Sequence, residues 1–124
     1  MPRKTSDKYL LDMMLASQKI RRFLSGYDKQ RFVADEKTIS AVERQFEILG
    51  EAARQVDEAT RLKFPEIDFR RIVGMRNIIA HDYENIRVDT MWSTAQKHVP
   101  ELIQVLEPYL TRLRELGDQR DAGD

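Results

Sequence analysis

The sequence contains no cysteine and few residues that interrupt helices, with five glycines and four prolines among 124 residues. Without cysteine, disulfide bonds, a nucleophilic thiolate and zinc sites built on cysteine are excluded. Neither sign of charge is in excess, because 21 basic residues balance 21 acidic residues. Proteins that coat nucleic acid through charge alone are usually basic. Any nucleic-acid contact must therefore come from a local group of cations, or from two chains brought together.

Long hydrophobic runs are also missing, since no stretch approaches the roughly 18 apolar residues that a membrane-spanning helix needs. The first residues, 1–4, lead into a segment interrupted by Asp7 and Lys8, unlike the apolar core of a secretion signal. We therefore expect a cytoplasmic protein without membrane contact. The length suits one domain with one hydrophobic core. We assign that domain to residues 1–116 and expect the polar residues 117–124 to be a disordered tail.

Apolar residues recur at steps of three and four, the period of α-helices, and neither strand alternation nor hairpin dipeptides occur. The apolar stripes lie at residues 10–24, 39–56, 69–79 and 88–113. Short connections between them predict an all-α fold, an antiparallel up-and-down bundle of four main helices. Asp57 and Asp68 are predicted N-caps, and Pro100 should kink or split the last helix. Gly50 costs its helix about 1 kcal/mol relative to alanine, which a close approach of another helix would explain.

One segment, RNIIAHDY at residues 76–83, carries more polar groups than packing at the end of an apolar helix requires. Histidine suits proton transfer near neutral pH, and arginine presents a permanently charged fork that matches phosphate oxygens. Arg76 and His81 are therefore candidates for catalysis of RNA cleavage. In that reaction the ribose 2′-hydroxyl attacks the phosphate, so no metal-bound water is needed. The other histidine, His98, has no ionisable group arranged with it and is interpreted as structural or exposed.

Geometry constrains this pair, because Arg76 and His81 lie about 140° apart around a continuous helix. Their side chains converge only if the helix ends near Ala80, or if a second subunit brings its own copy close. The residues alone leave a structural alternative open, in which Arg76 pairs with an acid such as Glu47 or Glu51. For these two glutamates we favour such a pair over acid–base catalysis.

Four further cations are candidates for contacts with RNA phosphates, as a basic rim around a cleft. They are Arg61, Lys63, Arg70 and Arg71. An ordinary solvated helix face is the alternative. The sequence has no histidine cluster and no aspartate-rich motif, so we expect neither a metal site nor a cofactor.

The pattern of Arg, four residues, His, one residue and Tyr at residues 76–83 resembles the signature of the HEPN-domain ribonucleases, and specifically of the HepT toxins. The segment LGEAA at residues 49–53 resembles the Gly-Glu-Ala element of the same family, and Trp92 also matches its pattern. Phe69 departs from the family, since many relatives have tryptophan there. The resemblance covers about residues 8–112.

This resemblance implies an up-and-down helical bundle that forms a homodimer and acts as an endoribonuclease. The active site would lie in a cleft at the dimer interface, to which both subunits contribute Arg76 and His81. Asn77, Asp82 and Glu51 would be supporting residues. A shared cleft would also resolve the angular separation of the catalytic pair.

The resemblance further implies a partner, a minimal nucleotidyltransferase of the MntA type, in a toxin–antitoxin system like type VII. This antitoxin would transfer AMP to the tyrosine that corresponds to Tyr83. Each AMP adds bulk and negative charge, which would obstruct and repel an RNA backbone. The alternative is a non-catalytic HEPN binding module that assists a partner nucleotidyltransferase. The complete pair of Arg76 and His81 argues against it, because a binding module does not need the histidine.

Overall fold

The structure, a computed structural model, describes residues 5–81 and 84–123, with side chains described for residues 6–80 and 86–117. In chain order the helices are α1 (Thr5–Phe23), α2 (Lys29–Val33), α3 (Glu36–Gln55), α4 (Glu58–Arg61), α5 (Phe69–His81) and α6 (Glu84–Gly123). The described ranges contain no strand. Four of the helices are long, and α2 and α4 lie in the connections between them. The predicted all-α fold with four main helices is confirmed.

Contacts at one end of the bundle show that the long helices alternate in direction. The backbone N–H of Asp57, just after α3, donates to Oγ of Ser6 at the start of α1 over 3.1 Å. The hydroxyl of Tyr109, well inside α6, donates to Oδ1 of Asp7 over 2.8 Å. Burial, together with this bond to Asp7, raises the pKa of Tyr109 to about 12. The start of α1 therefore meets the end of α3 and the middle of α6, as an up-and-down bundle requires.

The apolar stripes meet in a single core. Its most completely buried members are Leu10, Met13, Ile20, Phe32, Val42, Phe46, Met91, Val99 and Leu106. Burying each such side chain stabilises the fold by about 1.5–3 kcal/mol. Trp92 is half-buried, with its ring centroid 5.4 Å from that of Phe32. Because apolar side chains fill the interior, chemistry with a charged substrate must take place on the outer faces of the helices.

Two aspartates start helices as the sequence predicts. Oδ1 of Asp57 accepts from the backbone N–H of Thr60 over 2.8 Å at the start of α4. Oδ1 of Asp68 accepts from the backbone N–H of Arg71 over 3.1 Å at the start of α5. Each bond satisfies a donor that has no partner within its own helix. The second cap fixes where α5 begins, and α5 carries the candidate catalytic residues.

The last helix, α6, is longer than expected. Pro100 lies inside it without splitting it, and so does Pro108. The helix runs to Gly123 and so passes through most of the segment for which the sequence predicts disorder. Residues 117–123, GDQRDAG, include two glycines and two aspartates, which disfavour helix, so local propensity does not explain the continuation. The domain boundary at residue 116 stays a prediction. Within the described ranges, no helix is both long enough and apolar enough to cross a bilayer.

Candidate active site

Arg76 lies on α5, which ends at His81. Nη1 of Arg76 donates to Oε1 of Glu51 on α3 over 2.9 Å. The two residues are 25 positions apart, so this ion pair joins two long helices. Of the two acids that the sequence offers as partners, Glu51 is the one that pairs with Arg76. Glu47 instead contacts Arg44 of its own helix, with 3.3 Å between Nη1 and Oε1.

Glu51 is held by its own helix as well as by Arg76. Arg54 donates to Oε2 of Glu51 over 2.8 Å, and Nε2 of Gln55 donates to the same oxygen over 3.1 Å. The bonds from Arg54 and Gln55, with the charges of Arg54 and Arg76, lower the pKa of Glu51 to about 2. Glu51 thus stays ionised near neutral pH and is a weak base. This supports its assignment as a partner for Arg76 and not as an acid–base catalyst.

Arg54 and Gln55 do not appear among the sequence candidates. They lie three and four positions after Glu51, the spacing at which helical side chains meet. Their contact with Glu51 could have been predicted from that spacing. The carboxylate of Glu51 therefore bridges guanidinium groups from two helices.

The stem of Arg76 occupies space that Gly50 leaves open. An ideal Cβ on Gly50 would lie 2.6 Å from Cγ and 3.0 Å from Cδ of Arg76, and 3.4 Å from the carbonyl oxygen of Ile72. Cβ atoms essentially never come within 3.0 Å of another heavy atom. The sequence predicts a close approach of another helix at Gly50; the atoms of α5 that come closest belong to the side chain of Arg76 and not to the backbone.

Arg76 borders an open groove of about 610 Å³ between α3 and α5. The groove is lined by Arg44, Glu47, Glu51, Val73, Arg76, Asn77 and Ala80. The structure thus brings Asn77 and Glu51, two of the expected supporting residues, to the same surface as Arg76. The charged side chains of the lining are two arginines and two glutamates, so the groove of one chain is close to neutral. Among the described side chains, no group of three or more histidines, aspartates or glutamates could hold a metal ion.

Whether the helix breaks after Ala80, as convergence of His81 with Arg76 requires, depends on residues outside the described ranges. Two of the predicted site residues, Asp82 and Tyr83, lie outside the described residues, as does the side chain of His81. The meeting of His81 with Arg76 therefore stays a prediction.

Just after this segment, α6 begins and is tied to α3. Nη1 of Arg87 donates to Oε1 of Glu43 over 2.6 Å. The two side chains are only 23% and 22% exposed, the lowest exposures of any ion pair among the described side chains. The last turns of α5 and the first turn of α6 are thus both bound to α3.

Residues 13–109 match the model of a protein family described as "Ribonuclease HepT-like". The chain belongs to the HepT-like ribonuclease family. It is 30% identical to "Putative RNase MJ0125" of Methanocaldococcus jannaschii over 115 residues, which cover 93% of this chain and 99% of the relative. It is also 31% identical to "Probable ribonuclease HepT" of Thermococcus cleftensis over 100 residues, 81% of this chain and 91% of the relative. No solved structure matches the chain significantly.

Arg61, which lies in the matched region of this HepT-like chain, is one of the four cations offered for a basic rim. The structure gives it a different role. Nε of Arg61 donates to the carbonyl of Val56 over 3.0 Å, and Nη2 donates to the carbonyl of Ala53 over 3.1 Å. Its guanidinium also lies 5.1 Å from the ring centroid of Phe69. The last carbonyls of a helix lack hydrogen-bond donors within it, and Arg61 supplies donors to two carbonyls at the end of α3. It therefore has a structural role and is not part of a basic rim.

The three other cations of the expected rim lie on different surfaces of the HepT-like bundle. Arg70 is exposed and lies about 20° from Asn77 around α5, on the side of the groove. Arg71 lines a separate cavity of about 490 Å³ together with His98 of α6. Lys63 is near the ring of Tyr109, with 5.9 Å from Nζ to the ring centroid. A continuous rim is therefore not formed within one chain, and Arg70 is the member nearest the groove.

His98 has an ionisable neighbour that the sequence analysis did not assign. Its Nδ1 lies 3.4 Å from Oε1 of Glu101, three positions later on α6. The cavity that His98 and Arg71 line is a different one from the groove of Arg76. His98 therefore lies away from the groove of Arg76, and it is a suitable control for His81.

Proposed function

We propose that this HepT-like ribonuclease is a metal-independent endoribonuclease that acts at the groove of Arg76. The observation that carries the proposal is the ion pair that holds Arg76. An arginine of the family motif is fixed by Glu51 at the wall of an open groove, with 45% of its side chain exposed. Among the described residues, Arg76 donates through Nη1, and the exposed part of its side chain can meet a phosphate.

In the proposed reaction, His81 takes the proton of the ribose 2′-hydroxyl. The 2′-oxygen forms a bond to phosphorus while the bond from phosphorus to the 5′-oxygen breaks, and the 5′-oxygen receives a proton. The products are a 2′,3′-cyclic phosphate and a 5′-hydroxyl. Arg76 stabilises the extra negative charge of the phosphate in the transition state. Asn77 lines the same groove and supplies a neutral amide donor, and Asp82 supports His81.

The first test is cleavage of RNA by the purified, unmodified protein in EDTA. We expect chain cleavage that leaves 2′,3′-cyclic phosphate ends, and no cleavage of DNA of the same sequence, which lacks the nucleophile. Arg76→Ala should lower the rate by about 10²–10³-fold, the usual effect of removing a donor that stabilises the transition state. Arg21→Ala, an exposed arginine at the end of α1, is the matched control and should cleave like the wild type. Activity that appears only when Mg²⁺ is added would contradict the proposal.

We also propose that two chains share one active-site cleft. The groove of one chain is lined by as many acidic as basic side chains, so it attracts a polyanion weakly. A second copy of the motif would add its own cations and bring another His81 towards Arg76. Two apolar side chains are exposed, Ile78 inside the motif by 38% and Ile86 just after it by 51%. Their burial in a subunit contact would stabilise such a dimer.

Light scattering at the concentrations used for the cleavage assay should give twice the 14.6 kDa mass of one chain. Ile86→Asp places a charge on the proposed contact and should shift the mass towards one chain with a parallel loss of cleavage. Leu62→Asp is the matched control, because Leu62 is 72% exposed in the connection after α4. A fully active protein with the mass of one chain would rule out a shared cleft.

The remaining part of the proposal is control by a partner. A minimal nucleotidyltransferase antitoxin, as the family resemblance implies, would attach AMP to Tyr83, two residues beyond His81. RNA and the added AMP both carry phosphate, so they repel each other, and the nucleotide occupies space beside the motif. Modification of Tyr83 would therefore block the groove without unfolding the bundle.

A further inference from the structure

We propose that Gly50 is a positioning residue for Arg76, because the missing side chain at position 50 forms the seat in which the stem of Arg76 lies. The inference rests on the proposed function in assuming that Arg76 acts on RNA. It assigns a role in the active site to a residue of α3 that has no functional group.

The conformation of α3 does not require a glycine at this position. Gly50 lies inside a helix of 20 residues. Among the described glycines, the one with a positive φ is Gly26, at 81°. Alanine would suit the interior of α3 better than glycine does. An explanation for Gly50 must therefore come from what surrounds it.

The packing of α3 against α5 does not require a glycine either. The nearest backbone atom of α5, the carbonyl oxygen of Ile72, would lie 3.4 Å from an added Cβ, an ordinary van der Waals contact. The contacts that are too short are those to Cγ and Cδ of Arg76, at 2.6 and 3.0 Å. A methyl group at position 50 is thus compatible with the two backbones and incompatible with the present position of Arg76. Position 50 therefore requires a glycine because of the stem of Arg76, and not because of the distance between the backbones of α3 and α5.

The direction of the Arg76 side chain makes this seat useful. Side chains of an α-helix lean towards its N-terminus, so the stem of Arg76 lies back over the turn that contains Ile72. Its guanidinium then reaches Glu51, the residue that follows Gly50. Consecutive residues of α3 therefore provide the space for the stem and the negative charge for the head. Arg54 and Gln55 bind Oε2 of Glu51, while Oε1 accepts from Arg76 over 2.9 Å and from Nε of Arg54 over 3.4 Å.

Gly50→Ala should therefore impair cleavage although it introduces a better helix former. The Cβ displaces the stem of Arg76, so the guanidinium loses its fixed place at the groove. A displacement of about 1 Å can cost about 10²-fold in rate, and we expect a loss of that order. The loss should fall mainly on kcat, because Arg76 is proposed to act in the transition state, while helical circular dichroism stays unchanged.

A thermal double-mutant cycle tests the seat without any RNA. It compares the wild type, Gly50→Ala, Arg76→Ala and the double variant. Without the stem of Arg76, Gly50→Ala should raise Tm by about 3–5 °C, the normal advantage of alanine in a helix of a domain of this size. With Arg76 present, the same substitution should give no gain, or a loss.

Gly74 is the matched control glycine, because a Cβ there would meet nothing within 4 Å. Gly74→Ala should raise Tm equally with and without Arg76. Equal gains in Tm from Gly50→Ala with Arg76 present and with Arg76 replaced by alanine would show that the stem of Arg76 does not need the glycine. Full cleavage of RNA by Gly50→Ala would show that Gly50 does not position Arg76 for the reaction. If the wild type fails to cleave RNA, the proposed function fails, while the thermal cycle still decides whether Gly50 seats Arg76.

Discussion

Replacing His81 with alanine should lower RNA cleavage by about 10²–10⁴-fold, the range that general acid–base catalysis contributes. The substitution removes the proposed acceptor of the 2′-hydroxyl proton and leaves Arg76 and its ion pair with Glu51 in place. Binding of RNA should change much less than the rate. Initial rates over a range of concentrations of labelled RNA report the rate and the apparent affinity. Circular dichroism of the same samples checks that the helices are intact.

His98→Ala is the matched control, because His98 is the other of the two histidines of the chain. It lies on α6 beside Glu101, in a cavity separate from the groove. This variant should cleave RNA like the wild type and keep its toxicity on expression, whereas His81→Ala should relieve growth arrest. Wild-type rates for His81→Ala, or equal losses in the two variants, would show that His81 is not the acid–base group.

The second large effect concerns neutralisation. Co-expression with the nucleotidyltransferase should add AMP to the tryptic peptide that contains Tyr83 and suppress RNA cleavage. Tyr83→Phe removes the acceptor oxygen and keeps the ring, while Arg76 and His81 are unchanged. The variant should therefore stay toxic, gain no AMP mass and continue to cleave RNA in the presence of the antitoxin. Intact-mass spectra and growth curves report the two results separately.

Tyr9→Phe is a demanding control for this experiment. Tyr9 lines a cavity of about 360 Å³ that Arg44 and Glu51 also line, so it is a tyrosine near the carboxylate that binds Arg76. It should be neutralised and carry AMP as the wild type does. AMP on another residue, or full neutralisation of Tyr83→Phe, would show that the antitoxin acts elsewhere or by binding alone.

The bundle was largely predictable because its determinants are local. Apolar periodicity marks the four long helices, and Asp57 and Asp68 bond to backbone groups three residues ahead. The sequence leaves open whether Pro100 kinks or splits the last helix; α6 continues through it, because a proline removes a single bond and the rest of a well-packed helix can tolerate that loss.

The site was predictable as a set of residues but not as an arrangement. The sequence indicates Arg76, with Glu47 and Glu51 as candidate partners. Which of the two glutamates pairs with Arg76 depends on how α3 and α5 cross. Arg61 was misassigned because its carbonyl partners belong to another helix, and no local pattern indicates them. Gly50 was linked to a close approach, but that the approaching group is the stem of Arg76 follows only from the packed structure.

The two ion pairs that attach α5 and α6 to α3 also limit the length of the chain between them. Arg76 is bound to Glu51 and Arg87 to Glu43, and ten residues lie between the two arginines. One inserted residue that continued either helix would turn that helix by about 100° relative to its neighbour. One of the two guanidinium groups would then leave its carboxylate. Insertions and deletions should therefore be poorly tolerated next to the motif, where spacing is as restrictive as residue type.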